Sequence, residues 1–452
     1  MALSTANEKT MPETRRRADE ELLPDIEMYG DYDVVVAGGG PAGLCAGLAS
    51  VRRGAKTLVV EQFNCLGGMA TTGLHQHIGV FMGEGGRPEI VGGLPREIGQ
   101  RAEENWGASF GGRYLDVEIE GFKCLLDEMA GEAGLDVLFY SLVVDVILEE
   151  GRAAGVVMSN KSGLFLAEAD RIVDCTGDAD VAFRAGCPVN FGRPEDERTQ
   201  PGTLMFRLGG VDWDKLREYR EDDPLLEDFC QRAVKEDLMR PWQSRLMGFW
   251  YVPSRPDQVG VNFTHMHFDG TSASELSSAA MTGRRQVQEA VRAMKALLPG
   301  FEDAYLIDTA VQMGVRETRR IVGSYILTEE DIREQKIFED SIGLGSAYVD
   351  IHNVDGPGMD KRAGFSLPEG GYYSIPYRTL VPQEVDNLLV AGRCHSCTHE
   401  AAGSTRWITQ CMVMGQAAGM AAALSAREEV SPRELDVSEL QRKLLSEGAI
   451  LD

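Results

Sequence analysis

The segment Asp33-Val34-Val35-Val36-Ala37-Gly38-Gly39-Gly40-Pro41-Ala42-Gly43 decides the fold. A β-branched apolar run stops at three glycines, and Ala42, Gly43, Ala46, Gly47 and Ala49 open a stretch of small residues. Gly38-x-Gly40-x-x-Gly43 is the spacing of a tight strand-to-helix turn in which backbone approaches a pyrophosphate and the third glycine lets helix and strand pack closely. The unpaired N–H groups of the helix N-terminus then face the phosphates. A second run, Thr57-Leu58-Val59-Val60, ends in Glu61, 21 residues after Gly40. That is close to the roughly 20 expected for the acid that binds a ribose. Together these features predict a dinucleotide site at Gly38, Gly40, Pro41, Ala42, Gly43 and Glu61.

In open α/β sheets, ligands bind where strands reach their carboxyl edge. Two more apolar runs stop at such residues: Arg171-Ile172-Val173-Asp174-Cys175 at Thr176-Gly177-Asp178, and Asn387–Ala391 at Gly392-Arg393. The four are spread over much of the chain, so the dinucleotide domain is expected to be discontinuous. Val137–Tyr140 and Leu142–Leu148 read as strands, Glu149-Glu150-Gly151-Arg152 as a hairpin turn, and Asp116–Ala133 as a helix. The last strand leads through a polar stretch into a helix from Arg406 to about Ser425, thin-faced at Gly415, Ala417, Ala418 and Gly419. A helix N-terminus returning to the first site suits a flavin, whose N1/O2 edge becomes negative on reduction. A nicotinamide needs no such second unit, so FAD is favoured over NAD.

The chain has 452 residues, 43% of them hydrophobic, and a net charge of −26. It is long enough for two or three domains. The charge argues against a nucleic-acid partner, since a phosphate backbone is bound through a basic surface. No apolar run reaches the ~18 residues of a membrane span. Residues 1–30, with Arg15-Arg16-Arg17 and no apolar core of a signal peptide, read as a polar extension. Nine scattered cysteines point to free thiols and a cytoplasmic location.

The chain resembles the FAD-dependent oxidoreductase family within the glutathione reductase-like flavoproteins. The resemblance rests on the opening segment, Leu66-Gly67-Gly68-Met69-Ala70-Thr71-Thr72-Gly73, Asp174–Ala182, Thr199-Gln200-Pro201, Arg316-Glu317-Thr318-Arg319-Arg320, and Asn387–Arg393 with Thr398–Arg406 and Met414–Gly419. It implies that Gly67, Gly68, Met69 and Ala70 line the flavin side and that Val143 offers backbone to the adenine. It implies too that Thr176, Gly177 and Asp178 border the cofactor, and that Gly392, Arg393, Gly403, Ser404 and Thr405 border the flavin. Position 175 is cysteine where the family more often has a small residue such as alanine. The family shares no single substrate.

Candidate catalytic residues follow from chemistry. A flavin dehydrogenation needs a base for the O–H or N–H proton, and histidine suits it. His399 is the first choice, with Glu400 as the carboxylate that orients it, and His395 the second; the competing reading is that this loop only caps the cofactor. His75 and His77 follow the flavin-side motif and are substrate-facing candidates, or else polar residues at a domain junction. In Val259–Phe268, strand alternation puts His265 and His267 on one face. A metal there is disfavoured for want of a carboxylate at strand spacing, and no metal is expected. Arg316 and Arg320 at helical spacing share a face and are candidates for holding a substrate carboxylate or the FAD pyrophosphate, with Arg406 a further anion-binding candidate; ion pairing with Glu317 and its neighbours competes. Cys394 and Cys397 are read as ordinary buried thiols rather than a redox pair.

The expectation is therefore an α/β flavoprotein. A discontinuous Rossmann-type FAD domain (31–190 and 380–425) carries an inserted mixed α/β substrate domain (191–379), followed by a C-terminal helical tail (426–452). Tyr372–Arg378 is expected to return the chain and form part of the substrate wall. The favoured reaction oxidises a small polar C–OH or C–NH substrate, with oxygen or a redox protein as electron acceptor; a homo-oligomer stays open. The alternatives are reduction of an activated C=C bond, with an arginine as proton donor, and an electron-transfer subunit.

Overall fold

The computed structural model describes residues 26–86 and 88–452. Arg15-Arg16-Arg17 and most of the polar extension lie outside the described residues, and its end is shorter than expected, because the first strand already begins at Glu27.

The fold is α/β. Strand β1 (Glu27–Ala37) runs parallel to β2 (Thr57–Val60), and β2 runs parallel to β3 (Asp136–Leu138). Strands β4 (Leu142–Glu149), β5 (Arg152–Asn160) and β6 (Gly163–Asp174) form an antiparallel meander. Its last strand, β6, also runs parallel to β1 along its whole length. Where β5 leaves β6, the strand Leu388–Val390 takes over its edge in parallel. The register places Leu138, Val60, Ala37, Asp174 and Val390 in one row. Residues separated by hundreds of positions thus reach a single carboxyl edge, and the four strand ends read from the sequence meet there.

Toward that edge the parallel strands are apolar because both faces are covered; Val34, Val35, Val36 and Ala37 are fully buried. Helix α1 (Pro41–Arg52) covers one face, crossed by the helix Ile408–Arg427. A Cβ on Gly415 would lie 2.0 Å from the Ala42 carbonyl oxygen, and one on Gly419 2.0 Å from that of Ala46. The thin face is therefore a sterically required crossing. Helix α2 (Ile119–Ala133) starts later than Asp116, because Glu118 caps it by accepting the Gly121 N–H. Glu150 and Gly151, at φ 50° and 82°, make the two-residue turn expected between β4 and β5.

A second, antiparallel sheet has the order β8-β9-β7-β10, formed by β7 (Phe206–Gly209), β8 (Gly248–Val252), β9 (Arg255–Asn262) and β10 (Tyr305–Thr309). Helix α3 (Ala273–Leu297) packs on it. Its core draws mainly on residues between Leu204 and Met313. Leu327, Ile332, Ile342 and Tyr373 instead belong to the core beneath α1, so the inserted core closes well before residue 379. Tyr373–Pro376 does return as a strand, but paired to Ser341–Gly345 and buried in the first core.

Two local expectations are corrected. β9 ends at Asn262, because Thr264 turns inward to bond the Leu204 backbone, so His265 and His267 do not share a sheet face. Their rings stand edge-on, 5.2 Å apart. The second correction concerns Arg316–Arg320, which is extended, with Arg319–Ile321 paired as a strand to Val189–Phe191. Arg316 and Arg320 therefore do not lie one helical turn apart.

Candidate functional site

At the carboxyl edge the chain makes a cradle of backbone. Gly38 has φ 95°, and a Cβ on Gly43 would sit 1.7 Å from the Gly38 carbonyl oxygen, so both positions require glycine. A Cβ on Gly40 would meet nothing within 4 Å, which leaves the space at the start of α1 open for phosphates. Pro41 opens the helix and costs it no bond there. Glu61 accepts the N–H groups of Gly39 and Phe63 at 2.7 and 2.8 Å. Burial raises its pKa against these bonds. Ala42 is buried against the crossing helix. The Gly67 N–H donates to the Gly39 carbonyl, and a Cβ on Gly68 would lie 3.0 Å from Gly40 Cα. The turn Gly68–Ala70 thus flanks the open space. Val143 lies two residues past Ser141, whose N–H donates to the Glu61 carbonyl.

On the other side of β1, fully buried Asp174 accepts from the Thr176 hydroxyl and the Ala182 N–H, fixing the turn at Thr176 and Gly177. Asp178 accepts from Arg393 at 2.8 Å and from Thr318 at 2.5 Å. Gly392, at φ 96°, brings Arg393 there. Gly403, Ser404 and Thr405 pack inward: Ser404 donates to Ala347, and Gly403 accepts the Asp350 N–H.

A second group of side chains gathers beside this cradle. Arg316 is buried and donates to the Pro201 carbonyl at 2.5 Å. No carboxylate among the described residues lies within ion-pair distance of it. Its pKa is pushed down to about 9 by burial and then by Arg406, with Asp350 opposing. Arg406 donates to Asp350 at 2.7 Å. His352 stands 3.4 Å from the same Asp350 carboxylate. His75, His265 and His352 are pushed down to about 3, 3 and 4, chiefly by burial, with Arg316 adding to each shift. Nδ1 of His75, Nε2 of His265, Nδ1 of His352 and Nε of Arg406 are buried without partners. The backbone N–H of His75 donates to the Met69 carbonyl, which ties this group to the cradle.

A family model described as FAD dependent oxidoreductase matches residues 33–444. The chain belongs to that family. FAD is its cofactor, and the open space at Gly40, ringed by backbone that admits no side chain, fits the pyrophosphate. Over 191 residues the chain is 33% identical to thiamine thiazole synthase of Methanococcus aeolicus, covering 39% of this chain and 66% of that one. Over 204 residues it is 28% identical to digeranylgeranylglycerophospholipid reductase 1 of Methanococcoides burtonii, covering 42% and 48%. It thus spans between about half and two thirds of these relatives. Among solved structures it is similar to a geranylgeranyl bacteriochlorophyll reductase-like protein of Thermoplasma acidophilum, with 14% identity, TM-score 0.48, and 94% and 85% of the two chains covered.

In this family member the remaining candidates lie elsewhere. His399 is buried, its Nδ1 2.8 Å from Glu317, not from Glu400. Glu317 also binds the Arg320 guanidinium and accepts the Gln200 N–H at 3.1 Å. Burial alone would raise the Glu317 pKa, but Arg320 and His399 hold it low. His395 is fully buried, its Nε2 2.8 Å from the Thr405 hydroxyl. His77 stacks on Tyr114 at 4.3 Å and pairs with Asp116 at 2.6 Å. Cys394 and Cys397 are free thiols in two different apolar cores, which keeps them apart. Asp350 and His352 escaped the sequence reading. Asp350-Ile351-His352 is an alternation on extended chain, and that spacing on one face was the available signal.

Proposed function

We propose that this flavoprotein oxidises a small monocarboxylic acid at a C–OH or C–NH group, with oxygen or a redox protein as final acceptor. One observation carries the reading: the guanidinium of Arg316 is buried without a carboxylate partner among the described residues, beside an Arg406 whose partner is Asp350, among histidines that burial keeps neutral. A buried positive charge without its partner is costly, and an anionic substrate supplies the missing charge. Arg316 and Arg406 present planar forks suited to a carboxylate. FAD, when bound, supplies the two-electron acceptor. His75 holds a free Nδ1 beside the cofactor loop and accepts the substrate proton. The bound carboxylate adds negative charge nearby, raising the proton affinity of His75 when a base is needed. Asp350 orients His352 and Arg406, a positioning role.

The test is the visible flavin spectrum under anaerobic conditions as pools of hydroxy acids, amino acids, sugars and neutral amines are added. Bleaching by a carboxylate pool is expected; bleaching by sugars or neutral amines alone overturns the reading. A second reading, reduction of an activated C=C bond in an unsaturated acid, is favoured by Arg316, a buried donor with no carboxylate partner among the described residues. Reoxidation of the dithionite-reduced protein by an unsaturated acid, with no bleaching by saturated ones, would decide for it.

A further inference from the structure

A cleft of about 370 Å³ opens on the inserted region, between the 241–242 and 265–268 segments, the first half of α3, and Gly356-Pro357. Its walls include Trp242, Met266, Phe268, Ala279 and Pro357, with His265 among them. The volume is at the lower end for small-molecule sites, and His267, Ser278, Thr282 and Gln286 set polar groups among the apolar walls.

These walls are braced. The Trp242 indole N–H donates to Glu289 at 2.7 Å, and its ring stands edge-on to Phe263. Gln286 grips the His265 backbone twice, accepting its N–H and donating to its carbonyl, both at 2.9 Å. That grip fixes the imidazole in the wall, where it is 6% exposed and its Nε2 has no partner. Met266 in the same wall accepts the Gly202 N–H through its carbonyl, and Arg316 donates to the carbonyl of the preceding Pro201, so one short segment joins the cleft wall to the arginine pocket. Glu275 at the rim disfavours a second carboxylate.

We propose that this cleft receives an uncharged apolar tail of the substrate, aromatic or branched, while the carboxylate at its other end meets Arg316, with the His265 Nε2 bonding a polar atom between them. The inference rests on the carboxylate reading above and narrows it to monocarboxylic acids with an apolar tail.

Calorimetry on the FAD-loaded full chain tests it with 3-phenylpropionate, propionate and the uncharged 3-phenylpropanol. The phenyl ring is expected to tighten binding about tenfold or more over propionate, as burial of an aromatic ring does. Ser278→Trp and Thr282→Trp fill the cleft from helix positions that are exposed or half-buried. Both are expected to abolish the phenyl advantage and leave propionate within about twofold. Arg316→Gln should weaken both acids and spare 3-phenylpropanol. If the phenyl compounds bind no tighter than propionate, or keep their advantage in both tryptophan variants, the cleft proposal is overturned. If Arg316→Gln leaves both acids unchanged while tryptophan still expels 3-phenylpropanol, the carboxylate reading fails and the cleft stands as an apolar site.

Discussion

Arg316 and Glu317 are neighbours in the chain, yet their side chains enter two buried groups of opposite character. On the Glu317 side, the carboxylate meets the Arg320 guanidinium, the His399 ring and the Gln200 N–H. Arg320 also donates to the Cys397 and Gly192 carbonyls. On the Arg316 side, the charges do not balance and four nitrogens of the surrounding His75, His265, His352 and Arg406 lack partners. Folded chains pair almost all buried polar groups. The first group thus reads as structure, and the second as a place kept open for something absent from the chain. Gln200 joins the two, since its side-chain oxygen accepts the backbone N–H of His352. Titratable residues alone would not separate them; the balance of charge does.

The comparison breaks most easily at Glu317. Glu317→Ala leaves Arg320 buried and unpaired, and breaking a buried pair costs about 3–5 kcal/mol. Thermal unfolding should show a large drop in Tm. Replacing Glu317 and Arg320 together with Met should recover most of it, because the cost lies in the unpaired charge. A small loss in the single variant would put this network on the functional side. His75→Gln should do the reverse: roughly 100-fold or more from kcat, the low end for a lost general base, with KM and Tm little changed. An unchanged kcat would return the base to His399. Arg316→Gln comes next, raising KM for an acid substrate roughly 30-fold with stability held or improved, since it removes an unpaired buried charge. A fall in Tm like that of Glu317→Ala would erase the contrast.

Much of the cofactor side was legible because it is written in local rules. A β-branched run ending in glycine, twice, and an acid at the right distance require no long-range knowledge, and the register then aligned Ala37, Val60, Asp174 and Val390 as a sheet edge demands. The arginine pocket was legible only in part. Arg316, Arg406 and His75 stood out by type, but their partners Asp350 and His352 arrive from a segment with no motif of its own. The helical reading of 316–320 failed for a physical reason. These residues suit a helix by propensity, but the burial of Glu317 with Arg320 and the pairing of Arg319–Ile321 with Val189–Phe191 draw them into extended chain. For His399 the type was noticed, while the orienting carboxylate came from the far side of the chain rather than from Glu400.

A last difference separates the two groups by pH. His395 lies near the balanced group, its pKa pushed down to about 3 by burial and by Arg320, against 6.5 in the released chain. The unfolded chain therefore takes up a proton below about pH 6.5 that the folded chain refuses. This share of stability is complete above that pH and is lost as pH falls toward 3, by up to about 1.4 kcal/mol per pH unit. His395→Gln should flatten the acid limb of stability against pH by that slope. The pocket histidines His75, His265 and His352 contribute with the same sign in the free protein. A bound carboxylate raises their proton affinity, so saturating propionate should flatten their share as well. The propionate effect should be equal in the native chain and in His395→Gln, because the ligand acts on one group and the substitution on the other. If propionate flattens the native limb and leaves that of His395→Gln unchanged, the two groups titrate as one and the distinction between them falls.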